Sequence, residues 1–332
     1  VQLRPHRLNA TPFGASVDFA ELVRGFPELT TTGLVQGAIY ALIALGYTLV
    51  YGVLRLINFA HSEVFMIGTF GAIWTWAAFG LDSNSGAPSV GRSLLLIALA
   101  IVAAALLSGS VALLIEVTAY RPLRRRNAPP LAFLITAIGA SYALMELMGT
   151  LTQRRQIGSP ALLPADTLFS IGGWSVTPVQ MLTLSVAIIM MVGLDWFVNR
   201  TRFGKGIRAV AQDANTAALM GVNKSRVIAL VFVLGGLMAG VAAVFSDMKS
   251  GNTRYNIGFL LGLKAFSAAV LGGIGNLRGA AIGGIMLGLV ENYGSALFGS
   301  QWRDLIAFVV LIVLLMFRPT GLLGESLGRA RA

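Results

Sequence analysis

The chain has 332 residues, a net charge of +11, 56% hydrophobic and only 12% charged residues, and a mean hydropathy of +0.76. That balance excludes an ordinary soluble domain, and several runs reach the roughly 20 apolar residues that carry a helix across a bilayer. There is no cysteine, and the two histidines, His6 and His61, form no ligand cluster, so disulfide, thiol and metal chemistry are set aside and no cofactor is expected.

Residues 1–28, with Pro5, Pro12 and Pro27, read as an extracytoplasmic tail. No short signal-like apolar segment with a cleavage site opens the chain, so the first long apolar run is expected to be a retained span. Spans are predicted at 29–51, 64–80, 94–117, 131–151, 179–198, 227–248, 257–273, 280–298 and 304–317. The predicted fold is an all-α integral membrane protein of about nine transmembrane helices, in a range of roughly eight to ten. It comprises a transmembrane unit over 29–318, including a cytoplasmic loop over 200–226, and a cytoplasmic tail over 319–332.

The connections carry the charge. Arg121-Pro-Leu-Arg-Arg-Arg-Asn-Ala-Pro-Pro130 is a basic loop whose prolines start the next helix. A longer link, 152–178, holds Pro160, Pro164, Pro178 and Gly172-Gly173. Alternation puts 121–126, 200–226, the tail, Arg55 and Arg278 on one side, with 15 of the 25 basic residues, against six in the opposing loops. The richer side is cytoplasmic by the positive-inside rule, which explains the charge without nucleic acid. Nine spans then place the N-terminus outside, although Arg4, Arg7 and Arg24 lean the other way.

Asn58, His61, Ser62 and Glu63 fall between two spans with scarcely any loop. Polar groups at that depth face protein or water, so they read either as a broken helix lining a passage or as an ordinary wet turn. Glu146, Lys264 and Glu291 lie inside spans, where each can line a polar path or pair with a neighbouring helix. Glu116 and Asp195, near span ends, are expected to reach water. Gly275, Gly279 and Gly283 have the spacing that lets helix backbones touch. There is no Gly-x-x-x-x-Gly-Lys-Ser/Thr loop, nucleophile elbow, His-Glu-x-x-His pair or carboxylate–histidine cluster, so enzymatic chemistry has no visible seat.

The segment 200–226 is basic and soluble-looking. Gly204 and Gly206 are expected to break the preceding run, Asp213 to cap a short helix, and Gly221 to end it in a left-handed conformation. Ala214, Ala217 and Ala218 would share a small face, with Leu219 and Met220 beside it, on which another surface can dock closely.

Several motifs resemble one family. They are Gly33-Leu-Val-Gln-Gly-Ala-Ile-Tyr-Ala-Leu-Ile-Ala-Leu-Gly-Tyr-Thr-Leu-Val-Tyr-Gly52 with Ile57-Asn-Phe-Ala-His-Ser-Glu63, then Ala119-Tyr-Arg-Pro-Leu123, Arg208-Ala-Val-Ala-Gln-Asp-Ala-Asn-Thr-Ala-Ala-Leu-Met-Gly-Val222 and Lys264-Ala-Phe-Ser-Ala-Ala-Val-Leu-Gly-Gly-Ile-Gly-Asn-Leu-Arg-Gly-Ala280. In this order, over 30–324, they resemble the membrane subunits of bacterial branched-chain amino acid ABC importers, most closely the H-type permease that lacks an extra domain. The family usually has glycine where Ser62 stands, and the N-terminal tail here is longer.

The resemblance implies a multi-pass permease of the bacterial inner membrane, of the ribose and branched-chain amino acid importer type, with broken helices near the pathway. It would carry leucine, isoleucine and valine together with a second permease, two ATPases and an extracytoplasmic binding protein. Asn58, His61, Ser62, Glu63 and Lys264 are the expected pathway residues. Gly204, Arg208, Asp213, Ala217, Ala218 and Gly221 are the expected ATPase-coupling residues. Urea or a short amide as cargo, a stand-alone secondary transporter and a membrane enzyme remain as alternatives.

Overall fold

The computed structural model describes residues 25–164, 167–171 and 174–324. The tail over 1–24, with the charges that bear on the N-terminal side, Gly172-Gly173 and residues 325–332 lie outside the described residues.

The first helix, α1 (Phe26–Leu54), starts three residues before its expected position, with Pro27 in its first turn, where a missing N–H costs nothing. Its residues from Gly37 to Val50 are all buried. A helix that is apolar all round belongs in a core, and α1 is the centre of this one, packed by α10, α8, α9 and α5. The remaining helices are α2 (His61–Ala78), α3 (Val90–Arg125), α4 (Pro130–Leu151), α5 (Pro178–Arg200), α6 (Arg202–Gln212), α7 (Ala214–Leu219), α8 (Lys224–Ser250), α9 (Ile257–Gly272), α10 (Leu277–Phe298) and α11 (Arg303–Phe317). Two short antiparallel pairs occupy connections expected to be loops: β1 (Ile157–Gly158) with β4 (Asn252–Thr253), and β2 (Phe169–Ile171) with β3 (Trp174–Val176).

Every expected span has a helix, yet seven among the described residues are long and apolar enough to cross a membrane. The polar first turn of α2 lowers its hydropathy, and α9, at 16 residues, falls below the usual crossing length of roughly 17–25, which α11 reaches, at 18 residues, together with the 3-10 turn Ser300–Trp302 before it.

Small residues allow the helices to touch, as lipid-embedded packing requires. A Cβ on Gly37 would lie 2.7 Å from Ile285 Cα, joining α1 to α10, and one on Gly240 would lie 2.5 Å from Ala104 O, joining α8 to α3. Gly279 and Gly283 make the expected close crossing, against Gly272 and Ala268 of α9, whereas Gly275 sits in the intervening turn at φ +101° and faces open space.

The connections sort into two faces. On one, β1 pairs with β4, so the link between α4 and α5 meets the link between α8 and α9, and Gly158 abuts Ser83 of the α2–α3 link. On the other, Arg278 at the start of α10 pairs with Asp195 near the end of α5 at 3.1 Å. There the Leu322 and Leu323 amides donate to the Leu271 and Gly272 carbonyls at 2.9 and 3.0 Å, and α6 and α7 lie on this same face.

Candidate functional site

The crossing of α1, α2 and α9 carries the first group of polar residues. Arg55, at φ +55°, ends α1 in a left-handed turn, and α2 restarts at His61, three residues before the expected Val64. His61, Ser62 and Glu63 are therefore a helical first turn, preceded by the non-helical backbone at Asn58. None of the four is more than 5% exposed, which overturns the wet-turn alternative. This non-helical backbone is packed in protein, with Asn58 and Ala60 buried, the condition under which such backbone is tolerated within a membrane.

Each of the four has its own fastening. Asn58 Oδ1 accepts from the Tyr120 hydroxyl at 3.1 Å, and Tyr120 packs edge-on against Phe232 at 5.2 Å. The His61 ring meets Tyr47 edge-on at 4.7 Å and lies over Gly46, where a Cβ would come within 2.3 Å of Nε2. Ser62 Oγ donates to the Phe59 carbonyl at 2.7 Å. Its side chain fits because Gly262 of α9 faces it, where an added Cβ would sit 2.3 Å from Ser62 Cβ. Glu63, fully buried, accepts from Ser141 Oγ at 3.3 Å on one oxygen, while Oε2 has no hydrogen-bond partner among the described residues.

Lys264 is not part of this group. Gly258 and Gly262 turn one side of α9 to Ser62, and Lys264, two residues beyond Gly262, points to the opposite side. Its Nζ lies 2.8 Å from Glu291 Oε1 and 2.5 Å from Asp304 Oδ1, and the Tyr40 hydroxyl donates to Glu291 Oε2 at 2.7 Å. Of the two alternatives for Glu291, pairing with a neighbouring helix is the one seen. Glu146 instead reaches the surface and pairs with Arg154 at 2.7 Å, both about half exposed.

Glu116 corrects another expectation: it is fully buried rather than wet. A π-type turn over Glu116–Tyr120 swings its carboxylate inward, where Arg121 and Arg124 hold it at 2.9 and 2.8 Å. Asp247 escaped notice altogether. It is fully buried in α8, and neither carboxylate oxygen has a hydrogen-bond partner among the described residues. A single acid in the apolar run 227–248 was the available signal.

The second candidate surface is α6–α7. Thr201, extended at φ −89° and ψ 163°, ends α5 and caps α6 through Gly204 N at 3.0 Å, so Gly204 and Gly206 lie inside a helix rather than breaking one. Gly204 is needed for proximity, since a Cβ there would be 2.2 Å from the Val198 carbonyl. Arg208 Nη1 donates to that carbonyl at 2.5 Å, capping α5 and bracing α6 on its end.

Asp213 caps α7 as expected. Its carboxylate accepts from Asn215 N at 2.8 Å, Thr216 N at 3.1 Å and the Thr216 hydroxyl at 2.6 Å. The Thr216 hydroxyl first, then the two backbone amides, hold the Asp213 carboxyl below the usual carboxylate range. Gly221, at φ +86°, ends the helix, with Val222 N donating to Ala217 O and Gly221 N to Ala218 O, both at 3.0 Å, a Schellman arrangement. The alanine face, however, is turned inward. Ala217 is buried and Ala214 half-buried against the chain's own core, and what α7 presents is Ala218 with Leu219, 88% exposed, and Met220, 82% exposed. Arg202, Phe203 and Lys205 of the neighbouring α6 are exposed as well.

Residues 29–315 match the family model for the permease component of the branched-chain amino acid transport system. The high-affinity branched-chain amino acid transport system permease protein BraD of Pseudomonas aeruginosa is 44% identical over 299 residues, spanning 88% of this chain and 94% of BraD. The corresponding permease LivH of Escherichia coli is 39% identical over 306 residues, 90% of this chain and 96% of LivH. A probable LivH of Methanocaldococcus jannaschii is 25% identical over 302 residues, 88% of this chain and 90% of that protein.

Proposed function

The chain belongs to the permease family of branched-chain amino acid transport systems, and from that premise we propose that it is a membrane-spanning subunit of an ATP-driven importer for leucine, isoleucine and valine. It is a transporter subunit rather than an enzyme, a multi-pass protein of the inner membrane. The observation that carries the mechanism is the α6–α7 surface: a helix capped at both ends that holds Leu219 and Met220 in the open at the ends of membrane helices. Exposed apolar side chains on a braced, basic platform suit docking to a partner protein.

In this reading the partner is a cytoplasmic ATPase, and the chain lacks a phosphate-cradling loop of its own because hydrolysis resides there. Two ATPases, a second permease and an extracytoplasmic binding protein complete the machine. The α6–α7 face is cytoplasmic and the N-terminal end of α1 is outside. All nine long helical segments cross, with α2 and α9 relying on protein rather than lipid around them. The dry turn at Asn58, His61, Ser62 and Glu63 lines the passage when the assembly changes state, because its polar groups need water or cargo only once the helices part. Lys264 acts at one remove, fastening α9 to α10 and α11. Gly204, Arg208, Asp213, Ala217 and Gly221 shape and brace the coupling platform, and Ala218 lies on its contact surface.

The test is uptake of radiolabelled leucine by proteoliposomes holding the permeases, ATPases and binding protein, with unlabelled isoleucine or urea as competitor. Uptake that needs ATP and is displaced by isoleucine but not by urea is expected. Uptake without ATPases, or displacement by urea alone, overturns the reading.

A further inference from the structure

A cavity of about 320 Å³ opens on the face opposite α6 and α7, where the start of α1, the start of α5 and the end of α8 meet residues 160–164. That volume is at the lower end of the roughly 300–1,000 Å³ that small-molecule pockets span. Its walls are mostly aliphatic, with Val35, Leu162, Leu163, Val179 and Met248 among them. Two of its polar residues are already engaged, because Thr177 and Gln180 satisfy each other as the capping box of α5. The charged group in the lining is Lys249, and among the described residues no acid lines the cavity.

Lys249 is, among the described residues, a cation without an acidic partner. Among the described residues its ammonium donates to the neutral Gln36 Oε1 and takes part in no ion pair, whereas Lys264 nearby has two carboxylates. Arg303, Lys264 and Glu291 act on it electrostatically, but Lys264 and Arg303 already face Glu291, and Lys264 also faces Asp304, so the unpaired ammonium at the cavity is that of Lys249 among the described residues. The wall is also pinned to the lysine. Pairing of β1 with β4 and the Ser159 N–H donated to Gly251 O at 2.8 Å tie the segment before Pro160 to the residues just after Lys249. The aliphatic wall and the cation therefore keep their spacing.

We propose that this cavity is a binding site for small branched aliphatic carboxylates, in which Lys249 reads the carboxylate, the aliphatic wall reads the side chain, and the ammonium of an amino acid is not read. It rests on the permease reading and deepens it by adding a site away from the buried turn of α2, on the face that the binding protein would approach. Because no acid among the described residues lines the cavity, selectivity for amino acids over their amine-free analogues would come from elsewhere in the assembly.

Binding of radiolabelled leucine to the purified full-length chain in nanodiscs tests this, with isocaproate (leucine without its amine) and isoamylamine (leucine without its carboxylate) as competitors. Isocaproate competes as well as leucine and isoamylamine does not. Lys249→Met weakens leucine binding by about tenfold or more, the cost of one charge-assisted contact, while Lys249→Arg keeps it. Ala161→Trp, a change at an exposed lining position, fills the space and abolishes binding. Isoamylamine competing as well as isocaproate, wild-type affinity in both Lys249→Met and Ala161→Trp, or no leucine bound by the folded wild-type chain would each overturn it. ATP-driven uptake by the full complex reads the permease role separately. Uptake without carboxylate-selective binding removes the cavity alone, and absence of uptake removes the permease reading.

Discussion

The first turn of α2 and the short helix α7 invert the usual arrangement in opposite directions. At α2 four polar residues are buried, and at α7 two large apolar residues stand in the open. The buried turn is held from many sides, by Tyr120, Tyr47, Phe59, Ser141 and the glycines of α1 and α9. The exposed helix is held by its own Asp213 cap and Gly221 terminus and by Ala217 and Ala214 against the core, which leaves its outer side free. A polar group inside costs free energy unless its surroundings are specified, so that region is sensitive to packing. An apolar group outside costs the isolated chain little, so that region is free to serve a partner. The difference separates residues that hold the protein together from residues that, in the proposed reading, meet a partner.

The largest effect is expected where charges are buried. Lys264→Met leaves Glu291 without its closest cation and should lower stability by about 3–5 kcal/mol, read as a fall in the melting midpoint of the purified protein. The Lys264→Met/Glu291→Met double variant should recover most of it, because a buried pair replaced on both sides is often near neutral. A single variant as stable as wild type would show that the pair is wet.

The buried turn gives the next effect. Gly46→Ala drives a methyl group into the His61 ring and should cost about 1–3 kcal/mol in the same melt, with His61→Ala relieving it. If Gly46→Ala is silent, the dry packing at that crossing is wrong.

At α7 the expectation reverses. Leu219→Ser and Met220→Ser should each change stability by less than roughly 0.5 kcal/mol while weakening ATPase association in pull-down. The smallest effect concerns the cap. Asp213→Asn should keep more coupling than Asp213→Ala, since the amide oxygen still accepts from the helix amides. The folded Asp213 carboxyl titrates below its unfolded value, so the charged cap is fully present above the ordinary carboxylate range. Its contribution is lost only as pH falls through the lower folded value. Hydrogen exchange of the Asn215 and Thr216 amides between neutral and acid pH checks this, with protection expected to persist through pH ~4.

The architecture was legible because apolar run length is a direct consequence of bilayer thickness, and every expected span has a helix. The α7 cap and terminus were legible too, because Asp213 and Gly221 are local signals whose meaning depends on their immediate neighbours. Sidedness of side chains was not. The three alanines of α7 read as an open small face, yet α7 turns Ala217 to the core and shows Leu219 and Met220, because its orientation is set by the α6 and α8 it joins. Glu116 was misjudged for a related reason: a π-type turn rotates the helix by a fraction of a turn that periodicity does not announce. Lys264 and Ser62, grouped in one pathway, lie on opposite sides of α9, and the glycines at 258 and 262 carried that information unread.

One measurement bears most directly on the division between the holding region and the transmitting region. ATP-driven leucine uptake should be compared for the wild-type complex and for one carrying Leu219→Ser and Met220→Ser together, with the permease melt recorded on each preparation. Uptake falling at least about tenfold with an unchanged melt is the predicted result. Uptake equal to wild type from a complex with both serines in place would contradict the account.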